Sequence, residues 1–225
     1  MSTRNQAESL KLTLSSIYSQ NILFDYEVIV VDDGSTDHTK SVCEQYGVQY
    51  IYLDNSFYRN PAVARNTAYK AAKGKIVIAQ SADVLHRGEA VTWLTLNLRP
   101  NELLFAKVYN VNPGTWLPVP GTPIYCGPER PEPRFFLGAL WRKDIYAIGG
   151  NDERFIYPGW EDDWFGECLT KGLGRVPRYA TEAVGWHQAH SRKAPASGEG
   201  FEMSHQLYLE NVANKVYTNE PWAFE

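Results

Sequence analysis

Apolar positions along the first hundred residues switch repeatedly between two periods. Residues 6–20 set Leu10, Leu14 and Ile17 at helical spacing against a polar face, which predicts an amphipathic helix. Glu27-Val28-Ile29-Val30-Val31 is a short continuous apolar run, the pattern of a strand buried on both faces of a parallel sheet. It closes on Asp32-Asp33-Gly34-Ser35-Thr36-Asp37. There Gly34 suits a tight turn, and Ser35 or Thr36 can cap a helix over 39–46. A strand over 48–53, a helix over 61–73 ended by Gly74, and a buried strand over 75–79 follow. That strand runs out into Gln80-Ser81-Ala82-Asp83. The alternation predicts an α/β fold with a doubly wound, mainly parallel sheet.

The texture changes in the second half. Residues 110–133 are dense in Pro and Gly and predict a long loop or a pair of short strands. A strand is expected over 135–141 and a helical turn over 143–148, closed by Gly149-Gly150. Residues 161–171 predict a helix whose first turn, Glu161-Asp162-Asp163, is acidic, a favourable placement at the positive end of the helix dipole. Residues 192–200 are small, polar and charged, without an apolar anchor, and suit a mobile segment. An amphipathic helix over 202–217 completes the pattern, with no internal repeat.

Composition narrows the field. A chain of 225 residues holds one well-packed domain, and a formal charge of −4 argues against general nucleic-acid binding. No apolar run approaches the roughly 18 residues that span a bilayer, so no transmembrane segment is expected. The opening residues lack the apolar stretch of a secretory signal. Cys43, Cys126 and Cys168 are odd in number and far apart, and read as reduced, packed thiols of a cytoplasmic protein.

The candidate chemistry lies in two clusters. Glu161, Asp162 and Asp163 stand between Trp160 and Trp164, and acids among large rings need a use, since burying an unpaired carboxylate costs several kcal/mol. His187 and His190, after Trp186, can face one way and share a divalent cation. Two strands run out into acids, Asp32-Asp33 and Asp83, and open α/β sheets bind ligands beyond the carboxyl ends of their strands.

These segments together carry a resemblance. Residues Val28 to Asp37 resemble the nucleotide-binding segment of GT-A glycosyltransferases, family 2 in particular, and Val63-Ala64-Arg65-Asn66-Thr67-Ala68 with Ala72-Lys73-Gly74 resembles the family's next block. Glu161-Asp162-Asp163, after Gly149-Gly150, is similar to the acceptor-side motif of family 2 enzymes and of the β-1,4-galactosyltransferases. His187-x-x-His190-Ser191-Arg192-Lys193 is similar to the metal-binding segment of the latter.

The resemblance implies a single GT-A domain with a nucleotide-binding half over 1–100 and an acceptor and catalytic half over 101–190. A mobile loop over 191–200 and a C-terminal helix over 201–225 complete it. It implies an inverting, metal-dependent transfer of a sugar from a UDP-sugar to a hydroxyl on a glycan or other acceptor. Asp33, or less favourably Asp32, would accept the uracil N–H; Arg65 would reach the base or diphosphate; Thr3 would lie near the nucleotide. Asp83 stands last in the family's Asp-x-Asp, whose first acid is Ser81 here, so metal binding leans more on His187 and His190. Mn²⁺ or Mg²⁺ fits such mixed ligands. Asp162 would be the general base, with Glu161 and Asp163 holding acceptor hydroxyls or capping the helix. Trp160, Trp164 and Trp186 would wall the sugar site or pack in the core. Residues 191–200 would close over the donor, bringing Arg192 or Lys193 to the diphosphate.

The resemblance also implies a buried central strand just before Ser2-Thr3-Arg4-Asn5. Only Met1 stands there, so either the sequence starts late or another segment is expected to fill the gap. Two other readings remain open: a retaining GT-A transferase, and a nucleotide-sugar-binding protein without turnover.

Overall fold

The computed structural model describes residues 1–190 and 198–223. Its first half follows the predicted alternation: β1 (Ser2–Thr3), α1 (Ala7–Tyr18), β2 (Ile29–Asp32), α2 (Thr39–Tyr46), β3 (Gln49–Tyr52), α3 (Ala62–Ala71) and β4 (Ile76–Gln80). The first three strands make a parallel sheet in the order β1-β2-β3. All four residues of β2 are buried. On one face Val30 packs with Leu10 and Leu14 of α1 and with Val42 and Cys43 of α2. On the other, Ile29 and Val31 meet Ala64 and Ala68 of α3.

The second half adds β5 (Val84–Arg87), α4 (Ala90–Asn97), β6 (Glu102–Val111), β7 (Ile124–Cys126), β8 (Leu137–Trp141), α5 (Arg142–Ala147), α6 (Glu161–Glu167), β9 (Val176–Gln188) and α7 (Glu199–Asn214). The predicted helix over 161–171 divides into α6 and a π-helical turn, Cys168–Gly172. The C-terminal helix ends at Asn214, short of the 217 expected.

The architecture is a mixed α/β fold, but the expectation of a mainly parallel sheet holds only for β1-β2-β3. A second sheet runs β4-β8-β6-β9-β5 with β7 on β6, and only its β6–β9 ladder is parallel. The apolar run of β4 specifies a strand; its partner is chosen by the core that β8 and β6 build around Leu104, Phe105, Leu137 and Leu140. That core is dense with full-sized side chains, and close packing of this kind outweighs the propensity of any one segment.

β1 has two residues, paired with Val31 and Asp32. Between β2 and β4 lies a largely apolar cavity of about 770 Å³, lined by Val28, Ile29, Tyr69, Ile76, Ile78 and Ala79 among others. Among the described residues β4 pairs with β8 alone, so its other edge faces this cavity.

Cys43, Cys126 and Cys168 are free and buried, as the sequence predicts. Burial pushes each thiol up to about 12, where it is inert at neutral pH. Among the described residues no helix is long and apolar enough to cross a membrane.

Candidate active site

The turn after β2 sets the first wall of the site. Gly34 has φ +81°, and a Cβ there would lie 1.9 Å from the Asn55 carbonyl oxygen, so only glycine lets the two loops touch. The contact brings Asn55 to Asp33, whose Oδ2 accepts from Asn55 Nδ2 at 2.9 Å. Arg59 closes on the same carboxylate through two nitrogens, Nε at 3.1 Å from each oxygen and Nη2 at 2.6 Å from Oδ1. Asp32 points into the fold instead, accepting from the Ser35 amide and the Tyr50 hydroxyl, both at 2.8 Å. It stabilises the turn and offers nothing to the cleft, so of the two acids only Asp33 faces the candidate nucleotide site.

Asp33, Arg59, Thr3, Arg65, Ser81, Asp83 and His190 line one small cleft of about 180 Å³. Thr3 Oγ1 is buried without a partner among the described residues. Ser81 uses its amide on the Phe136 carbonyl and lines the cleft.

At the far wall Asp83, at the end of the turn after β4, meets the histidines of β9 and the loop that follows it. Asp83 Oδ2 lies 3.0 Å from His190 Nε2 and 3.8 Å from His187 Nε2, and accepts from Gln6 Nε2 at 3.2 Å. One ligand atom from each of Asp83, His187 and His190 falls within 4.8 Å of the others. The register of β5 against β9, Val84 opposite His187, enforces this meeting. Asp83 Oδ1 is buried with no partner among the described residues, an acceptor of the sort a cation satisfies. Burial favours the neutral carboxyl, but the His190 hydrogen bond and both imidazole charges hold Asp83 below the usual carboxylate range. Burial, helped by His190, lowers the His187 pKa, which favours the neutral imidazole a metal needs. One carboxylate and two imidazoles fit a Mn²⁺- or Mg²⁺-class ion.

The acidic trio lies beyond Arg65. Trp160 caps α6 with a left-handed φ of +67°, and Glu161, Asp162 and Asp163 leave that turn in three directions. Asp162 Oδ1 accepts a short hydrogen bond from Arg65 Nη1, which stands 3.7 Å from Glu161 Oε1. Arg65 therefore faces the carboxylates as well as the cleft, and their charges raise its pKa against the opposing effect of burial. Glu161 is buried, with Oε2 on the Gly159 amide at 2.9 Å. Its pKa is pushed up to about 7, by burial first and by the Asp162 charge second. Asp163 turns away to Arg134 Nε at 2.8 Å.

The three tryptophans part company. Trp164 is 1 % exposed and belongs to the core, so it walls no site. Trp160 stacks on His205 and Tyr208 of α7, with ring centroids 4.3 and 5.1 Å away. Trp186 stacks on Trp116 at 6.1 Å beneath the Arg87 guanidinium. Ser191, Arg192 and Lys193, with most of the expected lid, lie outside the described residues.

Sequence reasoning passed over Asn55, Arg59, Gln6 and Arg134. Each reaches its carboxylate from a different segment, and nothing in local spacing marks it. Only the run Phe57-Tyr58-Arg59-Asn60-Pro61, aromatic and basic ahead of a helix, carried a signal.

A family model for glycosyl transferase family 2 matches residues 1–155. Validoxylamine A glucosyltransferase of Streptomyces hygroscopicus is 26% identical over 237 aligned positions, covering 87% of this chain and 56% of the relative. Among solved structures, S. aureus TarS in complex with UDP-GlcNAc superposes with a TM-score of 0.68 at 18% identity, over 95% of this chain and 65% of that one. GalNAc-T7 with UDP, GalNAc and Mn²⁺ gives 0.73 at 14% identity, over 96% of this chain and 48% of that one. The chain thus spans about half to two thirds of the length of these proteins, and the two structural likenesses speak for the fold alone. The likeness of the later segment to β-1,4-galactosyltransferases is not carried by these matches. With the family model covering well over half of its residues, the chain belongs to glycosyl transferase family 2.

Proposed function

We propose that the chain transfers a sugar from a UDP-sugar to an acceptor hydroxyl, with inversion, in a divalent-metal-dependent reaction. The observation that carries this reading is the union of Asp33, Arg65, Asp83 and His190 in one cleft, with Arg65 joining it to Asp162. UDP and UDP-GlcNAc in structural neighbours, and Mn²⁺ in GalNAc-T7, support the donor and ion class.

Asp83, His187 and His190 would hold the cation, which when bound offsets the charge that builds on the leaving diphosphate. Asp33 is the acceptor for the uracil N–H, and Arg59, already on that carboxylate, competes with it. Asp162 is the general base. Its Oδ1 is tied to Arg65 and its Oδ2 has no partner among the described residues, so Oδ2 is the atom that takes the acceptor proton. The Arg65 pair fixes the rotamer of Asp162, which suits a base that must be correctly placed before the acceptor arrives. Glu161, held by Gly159, and Asp163, held by Arg134, position the first turn of α6 around it.

A panel of UDP- and GDP-sugars with Mn²⁺, scored for free nucleotide with and without candidate hydroxyl acceptors, tests the reading. Release from UDP-sugars that stops on chelation and restarts with Mn²⁺ is expected. Release that ignores chelation would remove the metal, and binding of UDP without any turnover would remove the transfer.

A further inference from the structure

The imidazole of His187 is held on two sides by residues to which no part of the reaction assigns a role. Asn110 in β6 is the register partner of His187 in β9. Its Oδ1 lies 2.8 Å from His187 Nδ1. Its Nδ2 donates to the Thr122 hydroxyl at 3.4 Å. Tyr125 in β7 lies flat on the ring, centroids 4.0 Å apart and planes 7° from parallel. The opposite nitrogen, Nε2, faces Asp83.

This arrangement decides a chemical question. A neutral imidazole carries one proton, and its other nitrogen alone can bind a metal. A carbonyl oxygen at Nδ1 requires the proton there and so exposes the Nε2 lone pair toward Asp83 and His190. The reversed amide would put the proton on Nε2 and aim it at the cation. We propose that Asn110 is a positioning residue for the metal: it fixes His187 as the Nδ1–H tautomer, while Tyr125 fixes the plane of the ring. The inference rests on the reading of Asp83, His187 and His190 as metal ligands, and it adds the group that makes His187 competent. Partners of this kind typically change metal affinity 10- to 100-fold when removed.

The test uses the chain without any nucleotide. Nitrogen-15 NMR of histidine-labelled protein should show His187 protonated at Nδ1 before metal is added; protonation at Nε2 overturns the proposal. Mn²⁺ binding, followed by the electron paramagnetic resonance of the free ion, should weaken 10- to 100-fold in Asn110→Leu and be kept or tightened in Asn110→Asp, which retains an acceptor. An unchanged affinity in Asn110→Leu, where Asp83→Asn and His190→Ala weaken it, overturns the role of Asn110 alone. If Asp83→Asn and His190→Ala also bind Mn²⁺ normally, the metal site itself is refuted. Should Asn110→Leu fail to fold, the tautomer measured in the unaltered chain still decides.

Discussion

Arg65 in α3 and Asp162 in α6, 97 residues apart, form an ion pair at the junction of the nucleotide cleft and the acidic turn. Arg65 lines the cleft with Asp33 and Asp83, so one guanidinium couples the side that holds the donor to the side that holds the base. A charged pair this well enclosed is worth its desolvation only when both partners are present and hydrogen-bonded.

Asp162→Asn removes the base while keeping the shape of the turn. UDP binding is expected to persist and transfer to fall by about 10²-fold or more. Parallel measurement of UDP affinity and initial rate checks this, and near-normal turnover would take the base role from Asp162.

Glu161 makes stability depend on pH. Its folded pKa of about 7 lies above the ordinary 4.5, so the folded chain binds more protons than the unfolded one between those values. The sign follows: the contribution is fully present below about pH 4.5, is lost as pH rises toward 7, and is absent above. Urea denaturation at a series of pH values should show this decline, and Glu161→Gln should flatten it. The same slope in both proteins would place the proton elsewhere.

His190→Ala deletes the more exposed of the two candidate imidazole ligands. Mn²⁺-dependent UDP binding should weaken, and UDP binding without metal should change little. A metal titration indistinguishable from the unaltered chain counts against His190 as a ligand.

Arg59→Ala strands the Asp33 carboxylate, which is buried against Asn55. Losing one partner of an enclosed ion pair costs about 3 kcal/mol or more, so the denaturation midpoint should drop clearly. Asp33→Asn combined with Arg59→Ala should recover part of the loss, because the charge left behind is gone. Additive losses would show that the pair contributes no coupling.

Much of this molecule is legible in one dimension. The runs Ile29–Asp32 and Ile76–Gln80 announce strands because buried backbone must be paired and flanking side chains must be apolar. Leu10, Leu14 and Ile17 announce α1, and the family match over residues 1–155 spans the segments that hold Asp33, Arg65 and Asp83. Long-range pairing is a different matter. That β4 joins β8, and that β9 lies parallel to β6, depends on which apolar faces fit together, and pairing partners leave no periodic mark on either segment.

The same division runs through the candidate site. Residue type and local spacing by themselves determined which acids end strands, which begin a helix, and which histidines stand three apart. Only the tertiary structure decided that Asp32 turns inward while Asp33 meets Arg59, that Trp164 is core, and that Asn110 stands against His187. The physical reason is one of range: a capping bond or an apolar stripe is set within a few residues, whereas a carboxylate's partner is whatever donor the packed core delivers to within about 3 Å.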